Sequence, residues 1–257
     1  MPRPMTLSPD LRFRLRGGLI HFAASAVIGL ASCGLVLGLW YPSAYREISG
    51  GLGLLGMMIA IDVILGPLIT FSICTRQKER RKLIADLLVI GAVQLAALIF
   101  GVHTLYQARP VALVFETHRM RVVRQIDLTE AKLDQLPEQI RPDWRGGPRL
   151  ISTRLPQADE TVDAVIQAFS GRDLGMRPEY WQPVTPAERR RWTDAAQPLS
   201  SLPQLASQPG RAERLSQEHL GRSAAGVKVL PVIARVSGWS MALDGGSGEV
   251  LGFLPID

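Results

Sequence analysis

The sequence predicts a membrane protein in which three transmembrane α-helices are followed by a small α+β domain on the outer side of the membrane. Three apolar segments are each long enough to cross a hydrocarbon core of about 30 Å, which takes about 20 helical residues. Basic residues cluster beside these segments, and the rest of the 257-residue chain has the mixed composition of a water-soluble domain. Length and composition therefore fit a membrane anchor plus one domain of ordinary size.

The predicted domains follow from where the apolar residues lie. They are a basic N-terminus (1–16), a transmembrane domain (17–106) with helices over 17–40, 52–74 and 83–106, and an outer α+β domain (107–257). Ten basic residues face five acidic ones up to residue 106, against 19 and 18 beyond it. The excess of positive charge therefore belongs to the membrane segments and does not indicate nucleic-acid binding.

The basic residues also predict the orientation, because short loops rich in Lys and Arg stay in the cytoplasm. Such residues precede the first span (Arg3, Arg12, Arg14, Arg16) and fill the loop between the second and third spans (Arg76, Lys78, Arg80, Arg81, Lys82). The loop YPSAYREISGG, between the first two spans, carries only Arg46, offset by Glu47. The N-terminus is therefore predicted in the cytoplasm and the C-terminal domain outside, in the periplasm if the source is a bacterium. Trp40, Tyr41 and Tyr45 are expected among the lipid headgroups.

The first span allows one alternative reading. LASC, at Leu30–Cys33, resembles a lipoprotein processing box behind a basic start and an apolar run. The apolar GLVLGLW that follows favours a helix that is retained in the mature protein.

The outer domain is predicted to begin and end with strands and to carry helices between them. VALVFE and MRVVRQID form a hairpin, and the helices are TEAKLDQLPEQI, ADETVDAVIQAF and a segment from about Pro186 to Ala196. PLSSLPQLASQPG is predicted as an exposed connection. VKVLPVIARV, WSMAL and EVLGFLPI are three closing strands, the last two joined across DGGSG, and Pro231 is expected to place its strand at an edge or a bulge.

Span two is the most unusual of the apolar segments. Asp62 lies near its middle, where a charged carboxylate costs a few kcal/mol, so it should face a partner or be protonated. Gly66 and Pro67 weaken the backbone hydrogen bonding just beyond it, which predicts a kink. Gln94 of span three lies at a similar depth, so Asp62 either pairs with Gln94 structurally or meets a partner from outside the chain; the sequence leaves both open.

Catalytic motifs are missing from the sequence. It has no phosphate-binding loop, no zinc-spaced cluster of His and Cys, and no nucleophile motif near His118 or His219. We therefore expect no enzyme, no cofactor and no metal site. Arg119, Arg121 and Arg124 of the first hairpin form either a basic surface facing headgroups or a partner, or a solvated face.

Several stretches carry a family resemblance. They are DVILGPLIT in span two, QLAALIFGVHTLYQARPVALVFE where the third span meets the outer domain, and the closing GEVLGFLPID. With the short basic start, a first span ending in WYP and the basic loop, their order resembles the type IV pilin accessory proteins, the TfpX/TfpZ group. The resemblance covers most of the chain but leaves residues 141–220 unmatched.

The resemblance implies an inner-membrane, chaperone-like protein that binds a cognate type IV major pilin and assists pilus assembly or the balance of extension and retraction. The lipid bilayer is a further partner, other inner-membrane pilus assembly proteins are candidates, and no catalysis is implied. It also implies that the pilin offers an apolar N-terminal helix with a buried glutamate and a free or methylated terminal amine. We hypothesise that span two presents Asp62 to that helix, with Gly66, Pro67 and Gln94 at the same contact.

A second class of function stays open beside the first. The chain would also suit a membrane-anchored sensor or a module that binds a periplasmic ligand. A proton-coupled carrier is a weaker alternative, because three spans with one central acid lack the paired repeats of carrier designs.

Overall fold

The computed structural model describes residues 8–129, 131–143 and 145–256, which form two compact units. The first unit contains the chain up to Gly38 and Leu52–Tyr106. The second contains Leu39–Gly51 and the chain from Gln107 on. Residues 1–7 of the predicted basic N-terminus, with Arg3, lie outside the described residues.

Three long apolar helices dominate the first unit, as the sequence predicts. The helices of the described chain are α1 (Pro9–Trp40), α2 (Tyr45–Ile48), α3 (Gly51–Ile73), α4 (Arg80–Ala108), α5 (Thr161–Phe169), α6 (Pro186–Ala195), α7 (Pro203–Ala206) and α8 (Arg211–Leu220). With 32, 23 and 29 residues, α1, α3 and α4 are long and apolar enough to cross a membrane. Helix α1 begins before the predicted residue 17, because the Ser8 side chain caps the N–H of Leu11 and a proline occupies its first position.

Small residues bring α1 and α3 close together. Gly18, Ser25 and Gly29 are the buried residues of the α-helical part of α1. A Cβ atom on Gly18 would lie 3.3 Å from the Cβ of Phe71, and one on Gly29 would lie 3.2 Å from Cγ2 of Val63. Larger side chains would therefore force the two helices apart, which is the usual reason for small residues between apolar helices.

One mixed sheet of eight strands forms the second unit. The strands are β1 (Pro110–Glu116), β2 (Arg119–Arg124), β3 (Arg149–Thr153), β4 (Trp181–Gln182), β5 (Gln197–Pro198), β6 (Val227–Ile233), β7 (Trp239–Asp244) and β8 (Val250–Pro255). Their order is β4-β3-β1-β2-β6-β7-β8, and β5 also pairs with β6. The pairs β1–β3 and β2–β6 are parallel and the others antiparallel. The predicted first hairpin, the closing strands and the α+β character are confirmed.

The core lies on both faces of the sheet around β1, whose residues are all buried. On one face Phe115 packs against Trp192 of α6, with ring centroids 5.8 Å apart. On the other face Val114 packs with Ile151 and Trp181. Because side chains alternate along a strand, a strand that is apolar on both sides needs cover on both sides, which makes β1 a central strand.

The loop between α1 and α3 belongs to the core of the second unit. Ile48 of α2 is fully buried in the same cluster as Trp192, and its carbonyl accepts a hydrogen bond from the N–H of Val236. Tyr41 is fully buried, and Tyr45 packs edge-on against Phe253 at 5.4 Å. These tyrosines fill apolar space in the second unit, so their rings contact protein and not, as expected, lipid headgroups.

Two local predictions, for TEAKLDQLPEQI and PLSSLPQLASQPG, hold only in part. In the part of TEAKLDQLPEQI that the structure describes there is no α-helix, only a short 3₁₀ turn at Leu133–Gln135. A second 3₁₀ turn, Gln125–Leu128, directly precedes the segment, and its Leu128 is buried in the core. PLSSLPQLASQPG is largely exposed, as predicted, but its leucines at 199 and 205 are buried in the core. Pro203 begins a short helical turn there.

Pro231 does not put β6 at an edge. Strand β6 pairs with β7 along one side and shares the other side between two partners. Strand β5 pairs as far as Val229, and β2 begins to pair at Val232. Pro231 lies between these two pairings, where its missing N–H costs least.

We expect Trp192→Ala to lower the free energy of unfolding of the second unit by about 3–5 kcal/mol, because it empties the largest buried site on that face of the sheet. The measurement is chemical unfolding of the full chain in detergent, followed by near-ultraviolet circular dichroism. Phe169→Ala is the control: its ring is 90% exposed, so the change should stay within about 0.5 kcal/mol. Equal effects of the two changes would contradict this core.

Candidate functional site

Asp62 lies in a turn of π-helix, Ala60–Leu65, in the middle of α3. The N–H of Gly66 bonds to the carbonyl of Ile61, five residues back, and Pro67 then has no N–H to donate. The predicted disturbance of the backbone is therefore present as a widened turn. Single π-helical turns are rare and occur frequently at functional sites.

Gln94 of α4 reaches this turn, but not the carboxylate of Asp62. Its Nε2 atom lies 3.4 Å from the backbone oxygen of Asp62, a long contact. The amide occupies the space that the missing side chain of Gly66 leaves: a Cβ atom there would come 1.8 Å from Nε2. Atom Oδ1 of Asp62 is buried and has no hydrogen-bond partner among the residues the structure describes.

Two cavities adjoin Asp62 within the first unit. One, of about 270 Å³, has His21, Ser25 and Gln94 among its lining residues. The other, of about 200 Å³, is lined by apolar side chains such as Met57 and Phe100. Asp62 thus borders two largely apolar spaces, one of which also carries a few polar groups, and this suits contact with an apolar chain that carries a polar group. His21 itself bonds to the hydroxyl of Thr70, Nδ1 to Oγ1 2.5 Å.

The arginines of the first hairpin are engaged in ion pairs. Glu116, whose side chain is 5% exposed, accepts from Nε of Arg119 at 2.9 Å and from Nε of Arg121 at 2.8 Å. It also accepts from the N–H of Gly175 at 2.8 Å, and both guanidinium groups contact Asp173. A glycine at 175 is needed, because a Cβ atom would lie 2.5 Å from Oε1 of Glu116.

Arg124 is paired as well, through Nη2 to Oδ1 of Asp127 at 2.7 Å, and this pairing raises the pKa of Arg124. The carboxylates that meet these arginines were not predicted from the sequence. Asp127 is only three residues from Arg124, so this ion pair could have been predicted from the local sequence. Asp173 is 52 residues from Arg121, and nothing in the local sequence indicates that the two meet. Whether the remaining charge faces headgroups, a partner or water stays a prediction.

Among residues 8–129, 131–143 and 145–256, no three His, Cys, Asp or Glu side chains are close enough to hold a metal ion.

Known proteins similar to this chain share a single description. The family model of the fimbrial assembly protein FimB matches residues 9–50. The chain is 37% identical to the fimbrial assembly protein of Dichelobacter nodosus serogroup E1, and 36% identical to that of serogroup I, over 186 residues that make up 70% of each chain. It is 39% identical over 119 residues to that of serogroups C1 and C2, covering 46% of this chain and 88% of that protein. No solved structure matches.

Three helices long and apolar enough to cross a membrane, followed by a mixed-sheet domain, define the class of protein only broadly, and the similarity to the relatives narrows that class. The chain belongs to the family of fimbrial assembly proteins. The resemblance to type IV pilin accessory proteins is thereby confirmed.

Because Gln94 packs against Gly66, we expect the effect of Gly66→Ala on stability to change sign when Gln94 is removed. Gly66→Ala should destabilise the helices by about 1 kcal/mol, since the new methyl group displaces the Gln94 amide. In a Gln94→Ala background the same change should be neutral or stabilising, because alanine favours helix over glycine by about 1 kcal/mol. Unfolding in mixed micelles, followed by helical circular dichroism, measures both; identical effects in the two backgrounds would refute the contact.

A second prediction concerns the buried carboxylate of the hairpin. Glu116→Gln should cost about 2 kcal/mol, less than a fully buried pair would, because Asp173 still compensates Arg121. Glu179→Gln is the matched control, since Glu179 is 54% exposed in its pair with Arg177 and such pairs contribute at most about 1 kcal/mol. Chemical unfolding of the full chain compares the two, and a larger loss from Glu179→Gln would contradict the arrangement.

Proposed function

We propose that this protein is an inner-membrane accessory protein of type IV pilus assembly, which binds a cognate major pilin in a chaperone-like way. The observation that carries the proposal is the similarity to fimbrial assembly proteins over 70% of their length and of this chain. The protein acts by binding and assembly and not by catalysis, and it needs no cofactor. Its effect falls on assembly or on the balance of extension and retraction.

In this proposal α1, α3 and α4 cross the inner membrane, with the N-terminus in the cytoplasm and the mixed-sheet domain in the periplasm. Contacts inside each unit support the grouping of segments on the two sides of the membrane, while the direction rests on the basic residues of the loops. Asp10 of α1 accepts from the N–H of Arg76 at 2.9 Å and from the hydroxyl of Thr75 at 3.0 Å, so two regions predicted as cytoplasmic adjoin each other. Leu39–Gly51, the loop predicted outside, belongs to the same unit as the C-terminal domain.

The pilin contact within the membrane is proposed at Asp62. Its buried Oδ1 atom, unpartnered in the described chain, and the two adjoining cavities support this choice. A terminal amine or another donor on an apolar pilin helix would satisfy the carboxylate at a depth where an unpaired charge is costly. Gly66 and Pro67 shape the turn that presents Asp62, and Gln94 fills the space beside it.

The test is a pull-down of the tagged protein from its native cells in mild detergent, with mass spectrometry of what accompanies it. We expect the major pilin with the wild-type protein, and about tenfold less with Asp62→Asn, because a charge-assisted hydrogen bond is lost. Asp86→Asn is the control: Asp86 is also an acid on an apolar helix, but Lys78 pairs with it. Piliation is counted in the same strains at equal protein level.

The outcomes separate the parts of the proposal. If pilin is abundant in the membranes and none accompanies the wild-type protein, pilin binding is wrong and a periplasmic ligand-binding or sensor module becomes the better reading. If Asp62→Asn recovers as much pilin as the wild type, only the intramembrane contact is wrong.

A further inference from the structure

A cavity lined by three arginines lies in the second unit. Its volume is about 300 Å³, at the lower end of the range for small-molecule sites. Arg121, Arg124 and Arg235 line it together with Asp127 and Ser49, and Ile233 is among the apolar residues of its wall. The hairpin supplies two of the arginines, and the turn after β6 supplies the third.

The three arginines differ in how much of their charge is already used. Arg121 is bound to Glu116 and Asp173, and Arg124 is bound to Asp127. Arg235 is exposed and has no ion pair in the described part of the chain. Its stem lies over Gly50, where a Cβ atom would come 3.0 Å from Cδ of Arg235. A planar guanidinium with five N–H donors is the side chain best suited to an oxyanion.

Buried hydroxyl groups lie close to these arginines. Ser49 is 2% exposed, yet its Oγ has no hydrogen-bond partner among the described residues. An unsatisfied buried hydroxyl calls for a water molecule or a ligand. Burial raises the pKa of Tyr41 to about 12, against the opposing effect of Arg235, Arg109 and Arg124. Tyr41 is therefore neutral at physiological pH and does not cancel the positive charge.

The position of Ser49 beside the start of α3 favours a lipid as the source of the anion. Ser49 and Gly50 directly precede Gly51, where α3 begins, and the Cα atom of Ser49 is at most about 7 Å from that of Gly51. If α3 enters the bilayer there, as the proposed function holds, Ser49 lies at the depth of the lipid headgroups. We propose that this cavity binds the phosphate of an anionic phospholipid, with Arg235 as the main ligand and Ser49 as a hydrogen-bond donor.

The experiment measures lipid retention by the full chain. The purified protein in detergent is titrated with phosphatidylglycerol, and bound lipid is counted by native mass spectrometry. We expect one tightly held lipid on the wild type and affinity about tenfold lower for Arg235→Gln, because one charge-assisted contact is lost. Arg235→Lys should fall between the two, since it keeps the charge without the planar fork.

Matched controls keep the result specific. Arg190→Gln removes the same charge from an exposed position on α6 and should leave retention unchanged. Thermal unfolding should be the same for Arg235→Gln and the wild type without lipid, because Arg235 makes no ion pair in the described chain. A loss of lipid affinity in Arg190→Gln as large as in Arg235→Gln would overturn the site.

Competition with inorganic phosphate distinguishes a phospholipid headgroup from free phosphate, which present the same anionic group to the arginines. We expect millimolar phosphate to leave the lipid bound, because the acyl chains hold it in the micelle. If phosphate alone occupies the site and displaces the lipid, the lipid assignment is overturned. If no lipid is retained while the same preparation still brings down pilin, this inference fails and the proposed function stands.

Discussion

The structure depends on one constraint: the loop between the first two apolar helices fills the core of the sheet domain. Ile48 and Tyr41 are fully buried there, and the Ile48 carbonyl bonds to Val236. Burying an aliphatic or aromatic side chain of this size is worth about 1.5–3 kcal/mol. The domain therefore cannot complete its core from residues after Gln107 alone, and its fold is tied covalently to α1, α3 and α4.

The carboxylates of Glu116 and Asp62 differ in whether the described chain supplies their hydrogen-bond partners. Glu116 is buried but fully engaged by two guanidinium groups and one backbone N–H. Asp62 has a buried oxygen without a partner in the described chain. Unsatisfied buried carboxylates are costly, so they persist where a partner or a proton compensates them. The first arrangement stabilises a structure by itself, whereas the second is suited to an encounter with another molecule.

The sequence correctly predicted the elements whose apolar residues either recur with a regular period or form a long uninterrupted segment. The three apolar helices, the first hairpin and the closing strands belong to this group. Leu199 and Leu205 were missed because their prolines look like loop signals. The depth of Asp62 in its helix was predictable from the sequence. The sequence could not show that Gln94 contacts the backbone oxygen of Asp62 and not its carboxylate, because this depends on the exact rotation of the two helices about their axes. Arg235 and Arg124 line one cavity only because β6 lies beside β2, and a pairing of strands about 110 residues apart leaves no local trace in the sequence.

The packing of Ile48 also bears on the order of events during synthesis. The loop that carries Ile48 leaves the ribosome long before Leu230, Met241 and Phe253, which complete its surroundings. Between these moments its apolar side chains have no native partners, and contacts so distant in sequence form slowly. The newly made chain therefore passes through an interval in which its apolar helices are complete while its sheet domain is unfinished, and a holding chaperone that covers the exposed apolar side chains would act in this interval.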